Sequence, residues 1–236
     1  MYFCNPVNHL SIRCFCMRRS SYFYTIFLTS VLLFTSFKPV SGQEKWKLSV
    51  DRDGIEVFTR KMEHSKIKAI KVICKLEATP SQLVAAILDI KTCNEWVYHS
   101  KENILIKQDS PLDLIYYSKV AVPWPAEDRD YVVHIQVEQH PETKIITVNS
   151  PCIPGYVAEK KNVVRISHSV GKWTIIPLGK NHVKAEYMLE VDPMGDIPAW
   201  LTNLFATKGP LETFKNLKVH LRKDVYKKAH FKQISD

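Results

Sequence analysis

Few residues in this chain have the type and spacing that catalysis requires. Arg129 and Asp130 are adjacent opposite charges at the start of a predicted strand, where they could serve acid–base chemistry or simply hold the preceding proline-rich turn. None of the nine histidines falls in an HxH or HExxH pattern. The patterns GxGxxG, GxxxxGK[ST] and GxSxG do not occur either. The sequence therefore predicts no metal site and no cofactor, and nothing in it points to a Ser/His/Asp triad.

Residues 1–42 have the pattern of a secretory signal peptide. The pair Arg18-Arg19 precedes an apolar run over 22–37, and residues 40–42 are typical of a cleavage site. The apolar run is shorter than the roughly 20 residues of a stable membrane span. We therefore expect an exported protein, periplasmic or secreted, with an uncleaved membrane anchor as the alternative. Translation from Met17 would give a more conventional leader, so the true start is left open.

The charge outside the leader bears on which partners the protein could bind. The net charge is +9, but four basic residues and no acidic residue lie in 1–42, which leaves +5 for the rest. This is well below the dense basic surface of a nucleic-acid-binding protein, whereas weak attraction to anionic membranes stays possible.

Cys74, Cys93 and Cys152 follow the leader without a CxxC pair. Their spacing indicates no zinc site and leaves their disulfide state open.

Strand signals dominate the region after the leader. Lys47–Val50 and Ile55–Arg60 flank a four-residue turn and predict a hairpin. Lys66–Leu76 alternates between apolar and basic residues, which predicts a strand with one buried face. A helix is expected next, because Thr79 is a good N-cap and an apolar stripe runs from Leu83 to Leu88.

A run of antiparallel strands is predicted over 113–191, because apolar and polar residues alternate. The predicted strands are Asp113–Val122, Asp130–Glu138, Lys144–Asn149, Asn162–Ser169, Lys172–Leu178 and Val183–Val191. Turns are expected at Pro141-Glu142, at Gly171 and at Gly179–Asn181.

The chain is predicted to end in one long helix. Apolar residues recur every three or four positions from Ile197 to about Tyr226, and Gly209-Pro210 should kink or divide this helix. A sheet with one apolar face must bury that face, and this helix is the available cover. The sequence therefore predicts an α+β fold in which a curved antiparallel sheet wraps around a long C-terminal helix and leaves an apolar cavity beneath it.

Four stretches resemble START domains, the StAR-related lipid-transfer family, in matching order. The most specific is VPWPAEDRDYV at Val122–Val132, which is similar to the family signature PWP-x-x-x-RD-[FY]-V. The others resemble the opening DGI-x-V hairpin, the D-x(n)-EWV element and the entry into the lid helix, and they lie at Asp53–Arg60, Leu88–Val97 and Ile197–Leu211. The resemblance covers about 46–225, so residues 43–236 are interpreted as a single START-like domain.

The resemblance implies the helix-grip fold of the Bet v1-like superfamily, with a tunnel for one lipid or similar apolar ligand. It implies a non-enzymatic carrier, gated by the C-terminal helix, that touches membranes transiently; we expect a monomer. Inward-facing strand and lid positions become candidates for lining the tunnel, with ordinary core packing as the alternative for each. These candidates are Leu114, Tyr116, Ser118, Tyr131, Val133, Ile135, Ala185, Tyr187, Leu189, Trp200, Leu201, Leu204 and Phe205.

One departure from the family concerns the ligand. Sterol-binding animal members carry an acid–arginine pair inside the tunnel. Counted without gaps from Arg129-Asp130, the matching positions in this sequence are Tyr116 and Ile135. The resemblance therefore implies a lipid carrier without implying a sterol as its ligand.

Two other functions remain open. A polyketide cyclase or hydratase of the same superfamily would need acid–base groups facing the cavity, and Tyr116, Ser118 and Tyr187 are the polar candidates. A ligand-free adaptor would instead have a filled core. Trp124 is expected to anchor its turn. Basic side chains of the last helix are expected either to attract anionic lipids or to form a solvated face, and they are Lys208, Lys215, Lys218, Arg222, Lys223, Lys227 and Lys228.

Overall fold

The computed structural model describes residues 45–62, 65–195 and 197–236. The predicted signal peptide lies outside these residues, so its cleavage stays a prediction. The strands are β1 (Lys47–Arg52), β2 (Ile55–Met62), β3 (Ser65–Leu76), β4 (Ser100–Ser110), β5 (Asp113–Val120), β6 (Asp128–Gln139), β7 (Ile146–Pro151), β8 (Val163–Arg165), β9 (His168–Gly179) and β10 (His182–Asp192). The α-helices are α1 (Pro80–Leu88), α2 (Cys93–Trp96), α3 (Ala199–Asn203), α4 (Gly209–His220) and α5 (Asp224–Lys227).

All ten strands belong to one curved sheet. Its order is β1-β2-β3-β10-β9-β7-β6-β5-β4, with every neighbouring pair antiparallel, and the short β8 pairs in parallel with the start of β6. The C-terminal helices follow the last strand. The predicted α+β class, with a curved antiparallel sheet and a C-terminal helix, is confirmed.

The first hairpin and the first helix form where the sequence predicts them. Asp53 and Gly54, between β1 and β2, have φ of 56° and 68°, a combination that suits a tight hairpin turn. The predicted cap of α1 is present. The Thr79 hydroxyl accepts a hydrogen bond from the Gln82 amide at 3.3 Å, and the Gln82 side-chain oxygen accepts one from the Thr79 amide at 2.9 Å.

The structure differs from the predicted strands and turns in three places. β4 was not anticipated, because its sequence SKENILIKQDS is polar and it lies exposed at one edge of the sheet. Gly171 does not form a turn. It lies inside β9, opposite Ser150 of β7 and Leu189 of β10. The predicted strand over 162–169 instead divides into β8 and the first residues of β9.

The C-terminal helix is divided, as the sequence predicts at Gly209-Pro210. A π-helical turn over Leu204–Lys208 joins α3 to α4 and ends immediately before Gly209-Pro210. Pro210 has no backbone N–H to donate, and a π turn is one way for a helix to absorb that loss. The helix ends earlier than expected, at His220, and the short α5 follows.

The concave face of the sheet and the helices share one buried cluster. It includes Val72 of β3, Leu83 of α1, Ile175 of β9 and Leu217 of α4, each with no exposed surface. Along the ranges that the structure describes, no helix has both the length and the apolar character needed to cross a bilayer.

Candidate ligand-binding cavity

A cavity of about 300 Å³ lies between the concave face of the sheet and the segment from α3 to α4. This is the size of a small-molecule pocket. Its wall is mainly apolar and aromatic: β5, β6, β9 and β10 supply one side, and Thr202, Phe205 and Phe214 supply the other. The arrangement can hold an apolar molecule out of water, because the sheet alternation turns one row of side chains of each strand inward.

Eight of the thirteen predicted cavity positions lie on this wall. β5 and β6 contribute two and three of them, β10 contributes two, and the π turn contributes one. They are Tyr116, Ser118, Tyr131, Val133, Ile135, Tyr187, Leu189 and Phe205. Whether they touch a ligand stays a prediction.

The other five predicted positions lie away from the wall. Leu114 and Ala185 face inward, but they join the solid part of the core that contains Leu83 of α1. Leu201 is also fully buried, and Leu204 is half-buried. Trp200 points outward and is 52% exposed. The strand alternation identifies the inner face, but it does not say where along a strand packing gives way to a cavity.

Sequence reasoning missed several residues of the wall. Cys93 and Trp96 of α2 and Asn103 of β4 reach it from elements whose patterns gave no such signal. Trp173 of β9 also lies on the wall, where it stacks on Phe214 with a 5.3 Å centroid separation and lies 4.6 Å from the Tyr187 ring. The indole nitrogen of Trp96 is buried and has no hydrogen-bond partner among the described residues.

Gly171 lets β7 and β9 approach each other beside the cavity. A Cβ at this position would lie 2.4 Å from the Ser150 Oγ and 3.4 Å from the Tyr187 hydroxyl. The first distance is shorter than real contacts allow, so an alanine would force the serine to move. A glycine inside a strand often marks such a close approach. Because Gly171 was predicted to form a turn, this contact was not anticipated.

The polar groups of the cavity are mainly hydroxyls. Ser118 donates to the Asn103 side-chain oxygen at 2.9 Å, and Asn103 donates to Ser100 at 2.9 Å. Burial raises the pKa of Tyr131 to about 12, and neighbouring Ser118 only partly opposes this rise. Burial likewise raises the pKa of Tyr116 and of Tyr187. All three tyrosines are therefore protonated at neutral pH and can donate hydrogen bonds.

The three cysteines of the described residues are free. Cys93 lies on the cavity wall, where burial and then the charge of Asp89 raise the pKa of its thiol to about 12. Burial raises the pKa of Cys152 to about 11. Thiols with such pKa values are unreactive at neutral pH, in keeping with a packing role.

Arg129 closes one end of the cavity. Its side chain is 5% exposed and donates to the carbonyl oxygens of Glu127, Pro193 and Met194, the last two at 3.3 Å and 3.2 Å. Burial lowers the pKa of its guanidinium. Arg129 thus joins the loop between β5 and β6 to the loop between β10 and α3.

Asp130 does not pair with Arg129. Its side chain lies on the opposite face of β6, where Arg165 of β8 binds it through two hydrogen bonds of 2.7 Å and 3.1 Å. Arg165 also donates to the carbonyl oxygens of Val157 and Ala158. The two adjacent charges therefore fasten two different loops, and only Arg129 lies on the cavity wall.

Two large apolar side chains lie exposed near the Arg129 end. Trp124, in the loop between β5 and β6, is 88% exposed, so the expectation that it anchors its turn is wrong. Met194, in the loop before α3, is 38% exposed.

Several basic residues of the last helices contact other parts of the protein. Lys215 pairs with Asp53, Lys223 with Glu95 and Lys227 with Asp224, and Lys218 donates to the Asp53 carbonyl.

The chain is similar to bacterial and animal proteins over most of its length. It is 34% identical over 175 residues to an uncharacterized protein of Pseudomonas aeruginosa, covering 74% of this chain and 86% of that one. It is 26% identical over 185 residues to the phosphatidylcholine transfer protein of Bos taurus, covering 76% and 85%.

Solved structures show the same fold. A STAR-related lipid transfer protein from Xanthomonas axonopodis is 30% identical, with a TM-score of 0.69 over 75% of this chain and 99% of the other. The human StAR-related lipid transfer protein 5 shares the fold at 13% identity, with a TM-score of 0.64 over 85% and 95%. The family model of the START domain matches residues 36–226. On these grounds the chain belongs to the START domain family.

Proposed function

We propose that this protein binds one molecule of a lipid, or of a similar hydrophobic compound, in the cavity and carries it between membranes. The observation that carries the proposal is the mainly apolar cavity between the sheet and the C-terminal helix. Each buried CH₂ group of a ligand contributes about 0.8 kcal/mol, so a chain of moderate length is retained without covalent chemistry. Kinship with lipid-transfer proteins supports the same function.

The ligand enters and leaves by movement of the loop before α3, of α3 itself and of the π turn. α4 is the fixed part of the lid, since its Thr213 accepts a hydrogen bond from the Tyr98 amide at 3.0 Å. A Cβ on Gly209 would lie 3.2 Å from the Tyr98 ring, so α4 also packs closely there. The hinge is the junction of the π turn with Gly209-Pro210, and the hydrogen bonds of Arg129 hold the movable part closed.

The Arg129 end of the cavity touches the membrane during exchange. Trp124, Met194 and Trp200 are exposed in the segments that close it, and tryptophan favours the boundary between water and lipid. The lysines that bind acidic residues of the protein are less available for anionic lipids. The exposed tryptophans, rather than the basic residues of the last helices, therefore make the membrane contact.

The cavity supports a carrier over a cyclase or an adaptor. Among the described residues, its wall contains no aspartate, glutamate, histidine or lysine, and its tyrosines keep their protons. Acid–base catalysis near neutral pH needs a group that titrates there. A filled core would have favoured the adaptor.

The chain acts as an exported monomer. The mass of the exported protein tests its export with cleavage of the leader, and gel filtration tests the monomeric state.

Transfer of a fluorescent lipid between donor and acceptor vesicles tests the function. The protein should accelerate transfer in proportion to its concentration, and Trp124→Ala should slow transfer while leaving lipid binding in solution unchanged. Leu178→Ala is the matched control, because Leu178 is 48% exposed beside the turn between β9 and β10. Transfer at the spontaneous rate would contradict the proposal, and equal effects of both variants would contradict the membrane contact.

A further inference from the structure

The cavity wall is nearly free of charge. Arg129 is the single lysine, arginine, aspartate, glutamate or histidine that the described residues place on it. Its guanidinium already donates to the carbonyl oxygens of Glu127, Pro193 and Met194. To bind an anionic ligand it would have to release the loops that it holds.

A buried charge needs a partner of opposite sign. Moving an ionised group from water into a protein interior costs several kcal/mol unless pairing and hydrogen bonds compensate for the lost hydration. A phosphate inside this cavity would face hydroxyl groups and aromatic rings instead of lysine or free arginine side chains. The described wall is therefore unsuited to a phosphodiester, whether the lipid is zwitterionic or anionic overall.

The same wall offers hydrogen-bond donors to a neutral ligand. The rings of Tyr116 and Tyr131 stand nearly perpendicular with centroids 6.5 Å apart, and Tyr131 neighbours Ser118. The hydroxyl of Tyr187 faces the cavity beside Gly171, and no described residue accepts or donates a hydrogen bond to it. The buried indole nitrogen of Trp96, on the same wall, also lacks a hydrogen-bond partner among the described residues. These two donors point to an acceptor on the ligand.

We infer that the ligand is a lipid whose polar end is uncharged and carries a hydroxyl or carbonyl oxygen, and that this end lies inward against Tyr187. Acylglycerols are examples of this class. The inference rests on the proposed carrier function and adds the ligand class to it. This ligand class differs from phosphatidylcholine, which the name of the bovine relative specifies.

Competition among lipids that differ only in the head group tests the inference. The delipidated full chain is incubated with vesicles of dioleoylglycerol, dioleoyl phosphatidylcholine and dioleoyl phosphatidylglycerol, re-isolated and extracted for mass spectrometry. We expect dioleoylglycerol to be enriched at least tenfold over its share in the vesicles. Preferential uptake of either phospholipid would overturn the inference but leave the carrier function standing. Uptake of none of the three would overturn both.

A pair of tyrosine variants tests the inward polar end. Tyr187→Phe should weaken binding of dioleoylglycerol roughly three- to tenfold, the loss expected for one neutral hydrogen bond. Tyr117→Phe is the matched control, since the Tyr117 hydroxyl is buried in the cluster with Ile115 and Val132 on the other face of β5. Unchanged affinity in Tyr187→Phe, or an equal loss in both variants, would overturn this assignment.

Discussion

The guanidinium of Arg129 donates a hydrogen bond to the carbonyl oxygen of Met194 at 3.2 Å. It makes a second bond to Pro193 at 3.3 Å, so one side chain of β6 fixes the loop that leads into α3. Both accepting groups belong to the backbone, and they can separate from Arg129 without unfolding a strand. Under the proposed function, these hydrogen bonds must break before the loop before α3 can move.

Arg129→Gln is expected to speed ligand release. The variant removes hydrogen bonds from a charged group, each of which contributes about 1.5–3 kcal/mol. Lid opening should therefore become more frequent, and the dissociation rate of a bound fluorescent lipid should rise at least tenfold. Stopped-flow transfer to acceptor vesicles measures this rate.

The control for Arg129→Gln is Arg52→Gln, because Arg52 is exposed in β1 at the hairpin. It changes the net charge by the same amount and should leave release unchanged. A dissociation rate of Arg129→Gln equal to that of the parent would show that the loop does not control exchange.

Strands could be predicted from the sequence where buried apolar residues alternate with exposed polar ones. They were missed where this contrast is absent. β6 was found because apolar and polar residues alternate over 133–138, and the apolar ones are the buried ones. β4 has no such contrast, since most of its residues are exposed at the sheet edge. Its position depends on pairing with β5, which is a tertiary contact that local periodicity does not encode.

Gly171→Ala should destabilise the protein, and Ser150→Ala should relieve the defect. The new Cβ would lie 2.4 Å from the Ser150 Oγ, so removal of that oxygen removes the clash. A double-mutant cycle by urea unfolding measures the effect, with an expected coupling of about 0.5–3 kcal/mol between contacting residues. Strict additivity of the two substitutions would mean that the close approach carries no strain.

Asp130→Ala should cause a large loss of stability. Asp130 is fully buried, and it accepts two hydrogen bonds from Arg165, which is 9% exposed. Removing one partner of a buried pair typically costs about 3–5 kcal/mol, because the other charge stays buried without compensation. Asp109→Ala removes an exposed ion pair with Lys107 and should have little effect on urea unfolding. Similar midpoints for both variants would contradict this.

A chain of hydrogen bonds fastens the end of α4 to the segment after α1. The ring nitrogen Nε2 of His220 lies 2.7 Å from the Tyr226 hydroxyl, which donates to the Asp89 carboxylate at 2.8 Å. Burial, followed by the charge of Lys223, lowers the pKa of His220, although Glu95 and Asp89 act in the opposite direction. The neutral imidazole is therefore the form that the folded protein favours.

Protonation of His220 should make the protein less stable in mild acid. An unfolded histidine has a pKa of about 6.5, so below that pH the unfolded chain binds more protons than the folded one. The contribution of His220 is complete above this value and is lost as the pH falls through its lowered folded pKa. His220→Gln cannot titrate, so its unfolding free energy should fall less than that of the parent between about pH 7 and about pH 5. Equal slopes in urea titrations would refute the assignment.

The cavity could be predicted only in part from the sequence. Tyr116 and Tyr187 were assigned to it from strand alternation, and the structure places both on its wall. Trp200 was assigned from helical spacing, but it is 52% exposed at the beginning of a helix that continues through a π turn. Helical periodicity assumes a regular helix, and the irregularity arises from Pro210 together with the packing of Gly209 against Tyr98.

Native mass spectrometry of the exported protein tests the carrier function most directly, combined with organic extraction of the compounds that co-purify. We predict one bound apolar molecule per chain, released by extraction and regained on exposure to vesicles. A mass equal to residues 43–236 would at the same time support cleavage of the leader. A protein that carries no such molecule, and that takes up none from a broad panel of lipids, would contradict the account.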